Sequence, residues 1–144
     1  MAEPAPEFVG ALASVPPGTA LDLAAGLGRN SRWLAARGWQ VTAVDTEIGE
    51  VPGVHWVRAD LEKHEYRIQP LAWDLIVCWL YWQPDLLPEI ARGVRPGGIV
   101  ALAGKTSGRF ATSLARYREG FADWREIASG ESEPRAFLIV SKTI

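Results

Sequence analysis

Apolar residues along this chain fall mainly into short, unbroken runs bounded by turn residues, the pattern of strands buried on both faces. Such runs stand at residues 20–24 (ALDLA), 41–44 (VTAV), 54–57 (VHWV), 73–78 (WDLIVC), 99–103 (IVALA) and 135–141 (RAFLIVS). Between them the apolar spacing becomes helical. Phe8, Val9, Leu12 and Ala13 predict a helix over residues 6–15; Trp33, Leu34 and Ala36 predict one capped by Asn30 or Ser31 and stopped at Gly38. Further helices are expected over residues 85–94 and 110–117, and residues 121–127 read as the approach to a sixth strand. Strands alternating with helices mean an α/β sheet of parallel strands. The short link at residues 129–134 makes the last two strands an antiparallel pair. Only eight residues, TEIGEVPG, separate the second strand from the third. A crossover helix needs more, so the helix after strand two is expected to be reduced or absent.

The stretch from Thr19 to Asp45 carries the first chemistry. A buried strand runs into Gly26 and Gly28, where backbone must pass close to a ligand, then into a helix, and then into a second strand ending in Asp45. A carboxylate there, about 20 residues past the glycines, can accept both hydroxyls of a ribose. That points to an adenosine-containing ligand. A dinucleotide fingerprint wants a third glycine, and Ser31 follows Asn30 instead. Asp22, inside the first strand, would repel a pyrophosphate and suits a ligand with a positive amino group. The third strand also ends in an acid, Asp60, after the run VRA. Trp79, Tyr81 and Trp82 follow the fourth strand at its carboxyl end, where open parallel sheets bind ligands; they surround a substrate or plug the top of the sheet. Gly104-Lys105-Thr106 lacks the spacing of a phosphate loop, having Ile99 five positions before Gly104. It reads as a loop placing Lys105 and Arg109 over the ligand face, suited to an anionic acceptor, or as a solvated lid.

Bulk properties narrow the classes. The 144 residues make one domain with a loose start at residues 1–6. A net charge of −2 with no Lys or Arg cluster argues against a nucleic-acid surface. The single cysteine, Cys78, lies in an apolar run, which excludes a disulfide framework and a cysteine metal site. No apolar stretch reaches membrane-spanning length and no leader is evident, so a cytosolic protein without metal is expected.

The run D-x-A-x-G-x-G from Asp22 to Gly28 resembles the first motif of class I S-adenosylmethionine-dependent methyltransferases, with Ala24 where that family has glycine or cysteine. Trp73-Asp74-Leu75 resembles the entry to their fourth strand, and Arg95-Pro96-Gly97-Gly98 their turn before the fifth. The first motif running on as Gly-Arg-Asn and the later FATSLARYREGFADWREI look like the small bacterial tellurite-resistance-type methyltransferases. Of the His-Arg pair those enzymes carry between the last strands, only Arg135 stands here. The resemblance implies a Rossmann-like seven-stranded sheet, order 3-2-1-4-5-7-6, with strand seven antiparallel. It implies S-adenosylmethionine as methyl donor, held by Asp22, Ala24, Gly26, Gly28, Asn30, Asp45, Thr46, Asp60, Leu61 and Trp79. Asp60 would face the adenine amino group and the Leu61 amide the ring. Tyr81, Trp82, Lys105 and Arg109 would meet a small-molecule acceptor. No Asn-Pro-Pro-aromatic segment stands after strand four, against methylation of adenine, cytosine or a glutamine amide. Tyr81, Tyr117 and His64 are the candidates for a base, with His55 at the wrong end of strand three, and no catalytic residue is assigned. A binding module without catalysis and a nicotinamide-binding fold stay open as alternatives. Exposed tryptophans beside the shortened connection would favour a homodimer.

Overall fold

The computed structural model describes residues 3–144. Of the stretch expected to be loose, residues 1–2 lie outside the described part, Ala5 is buried, and Pro6 already opens a helix. The elements are α1 (Pro6–Leu12), β1 (Thr19–Leu23), α2 (Arg29–Ala36), β2 (Gln40–Asp45), β3 (Val54–Arg58), β4 (Trp73–Trp79), a 3-10 turn (Pro84–Leu86), α3 (Leu87–Gly93), β5 (Val94–Lys105), α4 (Leu114–Gly120), β6 (Arg125–Ser132) and β7 (Arg135–Ser141). One seven-stranded sheet has the order β3-β2-β1-β4-β5-β7-β6. The first five strands pair in parallel, and β7 lies antiparallel to both β5 and β6. This is the expected α/β architecture.

Alternation along each strand sends side chains to two buried faces. Leu21, Leu23, Ile76, Cys78, Val100, Leu102 and Leu138 join Ile90 of α3 and Tyr117 of α4 on one side. Ala20, Val41, Leu75, Val77, Trp79, Ala101 and Ile139 join Phe8 and Leu12 of α1 and Leu34 of α2 on the other.

No helix follows β2. Residues 46–53 form a loop instead. A helix there would cover the β3 edge on the α2 face, and Trp56 takes over that role. A Cβ built on Gly28 would lie 2.9 Å from the Trp56 ring, and one on Gly49 only 2.5 Å away, so the indole is sandwiched between the glycine turn and the loop. Val51 from the same loop is buried beside it.

Several boundaries differ from expectation. The first helix stops at Leu12, and the later one starts at Leu114, where Ser113 accepts a hydrogen bond from the Arg116 amide at 3.2 Å. Neither Asn30 nor Ser31 caps α2. The cap is Gly28 in the left-handed region, φ 85°, because the chain must reverse sharply out of the glycine turn. The Arg95-Pro96-Gly97-Gly98 turn forms the irregular start of β5, with Gly97 at φ 85°. A Cβ on Gly98 would come within 2.8 Å of the Asp74 carbonyl oxygen. Strand six runs on through Ser132, leaving only Glu133 and Pro134 to turn into β7.

The amino end of the sheet is clasped. Asp74 accepts hydrogen bonds from the Thr19 amide (3.0 Å) and hydroxyl (3.1 Å), and Arg95 pairs with it at 3.0 Å.

Candidate functional site

The carboxyl ends of β1, β2 and β3 lie side by side at one edge of the sheet, since these strands pair in parallel. Past Leu23 the chain turns through Ala24 (φ 54°), Gly26 (φ 62°) and Gly28 (φ 85°), all left-handed. That region is open to glycine and disfavoured for alanine. The turn is tied to the second strand: the Gly26 amide donates to Asp45 Oδ2 at 2.9 Å and the Ala25 amide to the Val44 carbonyl at 3.1 Å. The other Asp45 oxygen accepts from the Glu47 amide and the Thr46 hydroxyl, both at 3.3 Å. Nothing lies within 4 Å of a Cβ built on Gly26. The turn therefore presents bare backbone beside a carboxylate, with open space in front.

Asp22 lies beneath that turn, 2% exposed, its Oδ2 accepting a 2.6 Å hydrogen bond from Ser31. Ser31 is thus engaged from below, which explains why it does not cap α2. Burial pushes the Asp22 carboxyl up from 3.8 to about 7; the Ser31 hydrogen bonds oppose this and the charge of Asp45 adds to it. Asn30, beside Ser31, is also buried, and its side-chain oxygen has no partner among the described residues. Two buried polar groups near one glycine turn, one of them unpartnered, are what an ammonium-bearing ligand would satisfy.

At the tip of β3, Asp60 Oδ1 accepts from the Glu62 amide at 2.9 Å, and its own amide donates to Glu65 Oε1 at 2.8 Å. This builds a tight turn rather than a helix. Leu61 is buried within it, and its carbonyl accepts from Gln83 Nε2 at 3.1 Å, joining the β3 and β4 loops. Trp79 stands apart from the other residues expected around the cofactor. Alternation along β4 puts it on the α1 face, 6% exposed, with its ring edge-on to Phe8 at 5.4 Å and tilted against Phe137 at 6.4 Å. Its indole is packing, and only its backbone faces the strand ends.

Across the β4–β5 side opens a cavity of about 500 Å³. Tyr81 and Trp82 after the fourth strand, and Lys105 and Arg109 on the loop the sequence places after the fifth, line it together. Tyr81 donates its hydroxyl proton to Gln83 Oε1 at 2.6 Å. Burial first, then the charge of Glu62, pushes its phenol up to about 12. Trp82 packs edge-on against Tyr117 at 5.1 Å, and the Arg116 guanidinium lies 4.7 Å from its ring centre. Leu80, between Trp79 and Tyr81, is left-handed at φ 62°, its amide bonded to the Ala103 carbonyl at 2.7 Å.

Two of the three candidate bases fall away. Tyr117 is 1% exposed; its hydroxyl is buried without a partner, and burial holds the phenol far above its ordinary range. It supports Trp82 from below. His64 points to Asp85 at 3.4 Å and does not line the cavity. His55 lies with the groove at the amino ends of β1 and β2, as expected. Arg135 pairs with Glu7 of α1, beside a second cavity of about 720 Å³ that shares Leu80 and Lys105 with the first. The sequence reading overlooked Glu62, Phe110 and Leu80, all of which line the first cavity. Glu62 carried no signal beyond lying two residues after Asp60, since only the turn aims it at Tyr81. Among the described residues no group of three or more His, Cys, Asp or Glu could hold a metal ion. No helix there is long and apolar enough to cross a membrane.

Comparison with known proteins places this geometry. The family described as tellurite resistance protein TehB matches residues 1–75, just over half of the chain. Malonyl-[acyl-carrier protein] O-methyltransferase of Salmonella typhimurium is 38% identical over 91 residues, covering 56% of this chain and 36% of that protein. The chain thus spans little more than a third of that relative. The crystal structure of TehB from Haemophilus influenzae shares the fold at TM-score 0.80 and 19% identity, over 95% of this chain and 62% of that one. So does a Burkholderia thailandensis 1,6-didemethyltoxoflavin-N1-methyltransferase, solved with 1,6-didemethyltoxoflavin and S-adenosylhomocysteine bound, at TM-score 0.64 and 21% identity. That match covers 89% of this chain and 72% of the other.

Proposed function

This chain belongs to the tellurite resistance protein TehB family, and from that premise we propose that it is an S-adenosylmethionine-dependent methyltransferase acting on a small-molecule acceptor. The observation that carries the reading is the Gly26–Asp45 tie, which sets a carboxylate beside bare backbone at the carboxyl ends of β1 and β2. The donor, when bound, supplies an electrophilic methyl group on a sulfonium. The protein's part is to hold the acceptor in line with it and keep water out. Asp45 keeps lone pairs for the ribose hydroxyls, Asp60 and Leu61 offer the adenine site, and Asp22 with Asn30 backs the methionine ammonium through the glycine turn. Tyr81 and Trp82 wall the acceptor on one side.

An anionic acceptor is the finer reading. Lys105 and Arg109 line the acceptor cavity, and neither has a carboxylate within ion-pair distance among the described residues. A cytosolic location rests on the sequence expectation. The homodimer has less behind it, because Trp56 lies under the loop it was expected to expose.

The test is calorimetric titration with S-adenosylhomocysteine. Wild type is expected to bind in the micromolar range, and Asp45→Ala to lose about 100-fold, the worth of two hydrogen bonds to a charged group. Heat with NADH and none with S-adenosylhomocysteine would overturn the proposal in favour of a nicotinamide fold.

A further inference from the structure

The acceptor cavity holds a carboxylate that the reading above leaves unused. Glu62 lines the cavity with Tyr81, Lys105 and Arg109, and also the adjoining hollow of about 380 Å³ with Trp82 and Arg116. Its position is set by the Asp60 turn, through the 2.9 Å hydrogen bond to its amide. Its carboxylate makes no ion pair within 4 Å among the described residues, although three cationic side chains line the same hollows. Tyr81 gives its only proton to Gln83, so toward the cavity it can only accept. Tyr117 and His64 are elsewhere. Among the described residues that line the cavity, Glu62 is the one carboxylate.

Building on the methyltransferase reading, we propose that Glu62 is the general base of this site, so that the acceptor is a flat ring acid bearing a protonated oxygen or nitrogen nucleophile. Lys105 and Arg109 would take the acid group, and Trp82 and Phe110 the ring faces. The nucleophile sits toward Glu62 and Tyr81. Its lone pair forms the bond to the methyl carbon, the carbon–sulfur bond breaks with its electron pair left on sulfur, and the nucleophile's proton passes to Glu62. A soft oxyanion such as tellurite attacks with a lone pair that is already free and has no need of this group. The ionisable groups facing Glu62 are Asp60, Tyr81, Lys105, Arg109 and Arg116, with Asp85 behind Gln83.

The test uses the full chain with 4-hydroxybenzoate, benzoate and tellurite as probes, and Glu62→Gln and Glu62→Asp as variants. Glu62 is exposed, so both variants should fold. Calorimetry on the protein saturated with S-adenosylhomocysteine comes first. Both benzoates should bind, with Glu62→Gln within about twofold of wild type; failure of either to bind overturns the ring-acid class. Absence of S-adenosylhomocysteine binding overturns the methyltransferase reading itself, and this proposal with it. Methyl transfer to 4-hydroxybenzoate should fall about 100-fold in Glu62→Gln at neutral pH with little change in KM. The gap should close as rising pH ionises the phenol in solution, and Glu62→Asp should recover part of the rate. An unchanged rate and pH profile in Glu62→Gln, no transfer to the phenol, or equal turnover of tellurite by wild type and Glu62→Gln with no phenol activity would each overturn the assignment.

Discussion

At the amino end of the sheet, Asp74 receives the Thr19 amide, the Thr19 hydroxyl and the Arg95 guanidinium. At the carboxyl end one strand away, Asp22 receives only Ser31, through its hydroxyl and its backbone, in a fully buried site. For Asp74 burial raises the carboxyl, but the Thr19 and Arg95 contacts outweigh it and hold it below the ordinary range. For Asp22 burial wins, and the group rises to about 7. Lys142 likewise reaches the Ala91 and Val94 carbonyls at 2.8 Å on the amino side, although Trp73 Nε1 there has no partner among the described residues and Leu71 is left-handed. On the carboxyl side Asn30, beside Asp22, has no partner among the described residues, and Ala24 is left-handed. Asp74, with its partners, closes the sheet; Asp22 and Asn30 are left for a ligand to complete.

The largest expected effect sharpens that contrast directly. Because the folded-state value of Asp22 is raised, its contribution to stability is full below about 4 and is lost as pH rises to about 7. Asp22→Asn should therefore match wild type near pH 4 and exceed it by about 4 kcal/mol at pH 8, read from urea unfolding at both pH values. The same variant should bind S-adenosylhomocysteine more weakly. A variant no more stable than wild type at pH 8 would break the comparison. Asp74→Ala is expected to move the other way. It should cost about 1.5 kcal/mol at neutral pH, with the half-exposed Arg95 pair contributing less than the Thr19 hydrogen bonds. Its folded-state value is lowered, so that cost should shrink as pH falls below about 4. The smallest effect is local: Ala24→Gly removes the strain of a left-handed alanine but loosens the unfolded chain. It should gain about 0.5 kcal/mol in thermal unfolding.

Much of the fold was legible in the chain itself. The parallel sheet follows from βα alternation and its antiparallel close from the short last link, the strand order was implied by the family resemblance, and the missing helix follows from counting residues 46–53 between two apolar runs. The placing of Gly26 and Gly28 in a turn and of Asp45 and Asp60 at the ends of β2 and β3 could be read because local sequence specifies turns and strand ends. Misreadings came where a residue had two local uses. Ser31 has the chemistry of a helix cap and spends it on Asp22. Trp79 has the position of a site residue and packs under α1, because strand alternation turned it to that face.

What the sequence alone determined, then, is the parallel sheet, the glycine turn and the two acids at strand ends, since short-range periodicity and turn chemistry carry them. What only the tertiary structure decided is which side chains share a space. Glu62, Tyr81, Lys105 and Arg109 come from three connections and meet only when strands β3, β4 and β5 are in register. Trp56 replaces a helix because a glycine turn and a short loop close on it from both sides. Such meetings depend on distances between residues far apart in the chain, and no local pattern encodes them.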